Sequence, residues 1–117
     1  MLLVEDQMIV AMQIEDMLCA AGCEVVGPVD TLHAAITLAR EKALDLAVLD
    51  INLDGEKVYP AAEELQARGI PFIFATGYGE STLPEKWRDQ PRLSKPFRRE
   101  QLEQLLKTVA ALSRSRA

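Results

Sequence analysis

A chain of 117 residues, 49% hydrophobic and 26% charged, has the size and make-up of one globular domain, and it can bury a core without disulfide or metal staples. Its formal net charge of −5 argues against non-specific nucleic-acid binding as its task. Cys19 and Cys23 are too few for a disulfide framework and lack a second Cys/His pair for zinc, and no apolar run has the length of a membrane span. The expectation is one domain over residues 1–117, cytoplasmic, with no membrane or nucleic-acid partner.

Apolar periodicity then divides the chain. Leu2 to Val4 is a short apolar strand ending in Glu5-Asp6. Val10, Ile14, Met17, Leu18 and Ala21 recur at helix spacing, and Gly22 ends that helix. Val25, Val26 and Val29 suggest a second strand, interrupted by Gly27-Pro28. Asp30 or Thr31 can cap a second helix carrying Ala35, Ile36, Leu38 and Ala39. Leu46 to Leu49 is a third strand, ending at Asp50, and "INLDGEKVYP" reads as the loop after it. A third helix falls around Ala61 to Ala67, closed by Gly69, before a fourth strand from Phe72 to Ala75. "ESTLPEKWRDQP" is poorly patterned, so a fourth helix there is short. Arg92 to Ser94 is the weakest strand, and Leu102, Leu105, Leu106, Val109 and Leu112 mark a last helix before a frayed basic end.

Strand and helix thus alternate five times. Short continuous apolar strands imply burial on both faces, hence an α/β fold with a parallel sheet between layers of helices. In such sheets ligands bind beyond the carboxyl ends of the strands. Those ends carry Glu5-Asp6, Asp50, Thr76 and Lys95-Pro96. Three crowded carboxylates repel one another and call for a hard cation, and an all-oxygen set with few protein groups suits Mg2+. An aspartate can also be a nucleophile that forms an acyl phosphate. Mg2+, a lysine ammonium and a hydroxyl could then each cover one phosphoryl oxygen.

"LLVED", "LAVLDINLDG", "FIFATGYG" and "LSKPF" occur in this order over essentially the whole chain. Together they resemble the receiver domain of two-component response regulators, and "FATGY" with the weak helix after it resembles the FATGUY class of mostly single-domain receivers. The resemblance implies a flavodoxin-like, doubly wound fold: a five-stranded parallel sheet of order 2-1-3-4-5 flanked by five helices. It implies that Asp50 takes a phosphoryl group from a phosphohistidine. Asp6 and Asp50 would ligate Mg2+ through their side chains, Asn52 through its backbone carbonyl, and Glu5 through water. Thr76 and Lys95 would each bind a phosphoryl oxygen, with Lys95-Pro96 as a cis peptide.

The sequence departs from the family at Arg92, three residues before the lysine, where many receivers carry a Tyr or Phe switch. A long cation does not bury as a ring does. Tyr78 is the aromatic left to report phosphorylation and, two residues past Thr76, to shield the acyl phosphate. Gly77 would leave room for the Lys95 ammonium, or simply serve the turn. Arg98 stands where a helix N-cap favours Asp, Ser or Thr, and a basic edge for an acidic partner is one reading of it. His33 is expected to be silent and Trp87 to pin the irregular segment. Met8, Met12 and Met17 are expected in the core or on a partner surface.

The resulting expectation is a non-enzymatic phosphoacceptor that signals by conformational change. Its donor is a histidine kinase or histidine phosphotransfer protein, its target is a protein, and a second copy of the chain is a further candidate partner. The runner-up is a receiver-like interaction module that binds regardless of phosphorylation. An aspartyl-phosphate phosphatase would need an acid where Asn52 stands. A flavodoxin-like cofactor binder would need a phosphate-cradling loop where "VEDQM" is acidic.

Overall fold

The computed structural model describes residues 1–53, 55–76, 83–95 and 97–115, with side chains in the last helix as far as Val109. The elements are β1 (Leu2–Val4), α1 (Met8–Ala20), β2 (Val26–Val29), α2 (Leu32–Glu41), β3 (Ala47–Asp50), β4 (Asn52–Leu53), β5 (Glu56–Lys57), α3 (Tyr59–Ala67), β6 (Phe72–Thr76), β7 (Arg92–Ser94) and α4 (Arg99–Ser115). Five strands form one parallel sheet in the order β2-β1-β3-β6-β7. With the small β4-β5 hairpin set aside, this is the expected 2-1-3-4-5.

Strand residues alternate between two cores because successive side chains point to opposite faces. Leu2, Val4, Leu49, Phe72 and Phe74 pack with Ala35 and Ala39 of α2 and with Ala61, Ala62 and Leu65 of α3. Leu3, Val48, Ile73 and Ala75 pack with Ile14 and Leu18 of α1 and with Leu102, Leu106 and Val109 of α4. Burial on both faces is why the strands carry no polar alternation. Trp87 is buried among Tyr59, Phe72 and Phe74, stacked on the tyrosine with ring centroids 6.2 Å apart. It pins its segment as expected. Met8 and Met12 fall on the surface, whereas Met17 packs against the second core. No described helix is long and apolar enough to cross a membrane.

Two local expectations need correction, the loop after Asp50 and the end of the last helix. The segment after Asp50 is not all loop: Asn52–Leu53 pairs antiparallel with Glu56–Lys57, and burial of Leu53 in the first core anchors the hairpin. Among the described residues the fourth helix is short, as expected: a single 3-10 turn, Glu85–Trp87. The last helix runs on to Ser115 instead of fraying at Ser113. Its unfavourable N-cap is also compensated. Gln101, three residues on, accepts a hydrogen bond from the Arg98 N–H at 2.8 Å, which is half of a capping box. At α2, Thr31 is the cap, accepting from the Ala34 N–H at 3.1 Å.

β2 continues through Gly27-Pro28 with an irregularity in its pairing to β1, where Gly27 adopts φ +105. A Cβ there would lie 2.8 Å from the Leu3 carbonyl oxygen and 2.9 Å from the Val29 nitrogen. Both obstacles are backbone, which cannot swing aside. Gly27→Ala is therefore expected to cost about 2 kcal/mol or more, read as a lower urea midpoint at unchanged m-value.

Candidate functional site

The carboxyl ends of the sheet strands meet at one side of the sheet. Glu5 and Asp6 follow β1, Asp50 ends β3, Thr76 ends β6 and Lys95 follows β7. Among the described residues the buried polar side chains are Glu5, Asp50 and Thr76, and all three stand here. Buried polar groups are costly unless they are paired, so their concentration in one place marks a built site.

Glu5, Asp6 and Asp50 each bring a carboxylate oxygen within 4.8 Å of the others. The Lys95 ammonium lies 2.5 Å from Glu5 Oε1 and 3.3 Å from Asp50 Oδ1. Glu5 Oε2 accepts from the Gln7 N–H at 3.1 Å, at the start of α1, so the Glu5 carboxylate also suits the positive end of that helix. Glu5 thus spends one oxygen on Lys95 and the other on the backbone. Burial, reinforced by Glu5 and Asp6, pushes the Asp50 carboxyl up to about 8 against the opposing pull of Lys95. One lysine does not neutralise three carboxylates, and the cluster has the electrostatics of a cation site.

Thr76 is turned elsewhere. Its hydroxyl donates to the Leu93 carbonyl at 3.4 Å, across to β7. That distance is long for an O–H···O bond, so a stronger acceptor could take the hydroxyl. Asn52 opens β4 two residues past Asp50, with its side chain exposed. Arg92 lies exposed on β7, as a guanidinium in the place of a buried ring should. Gly77, Tyr78 and Pro96 lie outside the described residues, and with them the expected roles of the loop and of the Lys95-Pro96 peptide.

Sequence reasoning brought the right residues to the strand ends but missed how they pair. The Glu5–Lys95 contact spans ninety positions and the Thr76–Leu93 bond seventeen. Their signal was only the shared position at the strand ends. It also missed the aromatic block at Tyr59, Phe72, Phe74 and Trp87 behind Thr76's strand.

Comparison with known proteins agrees with this geometry. The solution structure of SdrG from Sphingomonas melonis superposes with a TM-score of 0.84 at 41% identity, covering 92% of each chain, and SdrG has also been solved in a BeF3-activated conformation. The receiver domain of the sensor histidine kinase PA1611 from Pseudomonas aeruginosa, with magnesium coordinated in its active-site cleft, gives 0.78 at 27% identity over 94% of this chain and 95% of that one. The regulator PhyR from Methylorubrum extorquens is 34% identical over 101 residues, 82% of this chain and 38% of its own length. The chain spans about half the length, or less, of the curated relatives it matches. The response regulator receiver domain profile matches residues 1–107. With the parallel sheet, the acidic cluster and the lysine at its mouth, that match makes this chain a member of the receiver domain family of two-component systems, a regulatory rather than an enzymatic module.

Proposed function

We propose that Asp50 accepts a phosphoryl group from a phosphohistidine on a histidine kinase or a histidine phosphotransfer protein, and that the resulting rearrangement of Thr76 and Lys95 changes the chain's affinity for a protein target. The observation that carries this reading is Asp50 itself. It is a buried carboxylate at a strand end, with a lysine at 3.3 Å and two further carboxylates beside it.

The donor set fits Mg2+: carboxylate oxygens only, and few enough to leave room for water and a phosphoryl oxygen. Asp6 and Asp50 would hold the ion by their side chains and Asn52 by its backbone carbonyl. Glu5, both of whose oxygens are engaged, would act on it through water. The ion supplies charge neutralisation and orientation of the phosphoryl group. The chain does the rest. Asp50 would react as the carboxylate, its proton given up to solvent when the cation is bound, and one of its oxygens would form the bond to phosphorus as the bond from phosphorus to the donor imidazole breaks, the imidazole keeping that electron pair. Lys95 needs only a short shift from Asp50 Oδ1 to meet a phosphoryl oxygen, and the Thr76 hydroxyl leaves Leu93 for another. Glu5 keeps Lys95 within reach until then.

The test is incubation with Mg2+ and acetyl phosphate, followed by intact mass. One added phosphoryl group is expected in the native chain and none in Asp50→Ala or without Mg2+. Beryllofluoride should change the emission of Trp87, the single tryptophan, in the native chain only. Native protein that takes no adduct under these conditions would leave the phosphorylation-independent interaction module as the better reading.

A further inference from the structure

Among the described residues the sheet has two free edges, and they are guarded differently. At β2, Pro28 has no N–H to offer, Gly27 sits at φ +105, and the pairing with β1 is irregular between Leu2 and Val4. These features blunt an edge against further pairing. At β7 the backbone is regular. The Phe74 N–H donates to the Pro91 carbonyl at 3.0 Å, and the Lys95 N–H donates to the Thr76 carbonyl at 2.7 Å. Parallel pairing alternates, so residues 91, 93 and 95 face β6 while the N–H and C=O of Arg92 and Ser94 face outward. Both residues are exposed.

What guards this edge is charge of one sign. Arg92 lies on the strand and Arg98 just beyond it, and among the described residues neither pairs with a carboxylate. Neighbouring cations are already engaged, Lys86 with Glu63 and Arg99 with Glu103, each at 2.9 Å. Charge also divides along the sequence. Residues 1–66 carry thirteen acidic side chains against three basic, and residues 67–117 carry five against ten. The strand order puts β7 at the far edge from β2. A positive guard repels basic or like segments but attracts an acidic one, so it selects as well as protects.

We propose that the open edge of β7 docks an extended acidic segment of a partner protein, which joins the sheet as a sixth strand. The outward groups of Arg92 and Ser94 supply two donors and two acceptors at strand repeat. Side chains two apart on the added strand share the face of Arg92, so a carboxylate at every second position meets the guanidinium. A second copy of this chain is not the occupant. Its own β7, paired antiparallel through the same outward groups, would set the two Arg92 side chains diagonally across one face with no carboxylate between them, and its other edge is closed by Pro28. The inference goes beyond the phosphoacceptor reading and does not depend on it.

The experiment titrates the 15N-labelled, unphosphorylated chain at low salt with a capped hexapeptide of alternating Glu and Val. Whether Asp50 accepts a phosphoryl group therefore has no bearing on the outcome. Saturable shifts of the Arg92, Leu93 and Ser94 amides are expected, with affinity at least five-fold weaker in Arg92→Glu. A peptide N-methylated at alternate residues on its pairing edge should bind at least five-fold more weakly, which separates strand addition from charge attraction alone. The matching Lys and Val peptide should leave these amides unmoved. No binding, shifts confined to other elements, equal binding of the Lys peptide, or indifference to Arg92→Glu or to N-methylation would each overturn the proposal.

Discussion

Replacing Asp50 by Asn is expected to raise the melting temperature at pH 8 and to change it little at pH 5. The native Asp50 carboxyl holds its proton up to about 8, whereas the unfolded chain releases it near 3.8. Between those values the native state binds more protons, so stability falls as pH rises through that window and the full penalty is present above it. Asn keeps the shape and never carries the charge. Each unit of displacement corresponds to about 1.4 kcal/mol, and the full displacement is an upper limit because water and neighbouring groups relax. A gain of about 2 kcal/mol at pH 8, or roughly 10 °C for a domain of this size, is the expected outcome without divalent ions. Thermal melts of both proteins at pH 5 and pH 8 check it. An equal difference at the two pH values would mean that the Asp50 charge is not its source. Added Mg2+ should stabilise the native chain more than the variant.

Lys95→Ala should have the opposite sign and a larger effect. It removes the cation that stands between Glu5 and Asp50 and leaves the Glu5 carboxylate, fully buried, without its 2.5 Å partner. Removing one member of a buried pair costs about 3 kcal/mol or more, because the other charge remains desolvated. The double variant Glu5→Gln with Lys95→Ala should lose less than Lys95→Ala alone, since the orphaned charge is then gone. Urea denaturation of the native chain, both single variants and the double variant measures this. Effects that simply add would show that the two residues are not energetically coupled. Mg2+ should recover part of the Lys95→Ala loss, since it supplies positive charge to the same cluster.

Much of this architecture was legible in the sequence, for a physical reason. Strands buried on both faces must be apolar throughout, so Leu2–Val4, the run before Asp50 and Phe72–Thr76 stand out from their surroundings. The polar residue that ends each run then stands out as well, which is how Asp50 and Thr76 were found. The β4-β5 hairpin was not legible, because two-residue strands are too short to show a period. Nor was the partner of Glu5, which depends on β7 lying three strands away from β1 in the right register. The cap of α4 could have been found. Gln101 stands three residues after Arg98, and a capping box can be read from its glutamine as well as from its first residue.

The bond between Thr76 and Leu93 has a consequence for the resting protein. A hydroxyl contact of 3.4 Å is weak, but Thr76 is buried, so releasing the hydroxyl with no other acceptor costs about 1–3 kcal/mol, which leaves it free in roughly one molecule in ten down to one in a hundred. The released rotamer is therefore a standing minority of the population, exchanging far faster than any phosphoryl group arrives. On the proposed phosphoacceptor reading, an acceptor at Asp50 would have only to re-weight two states that already coexist, and the ratio between them would set the basal output of the unmodified chain.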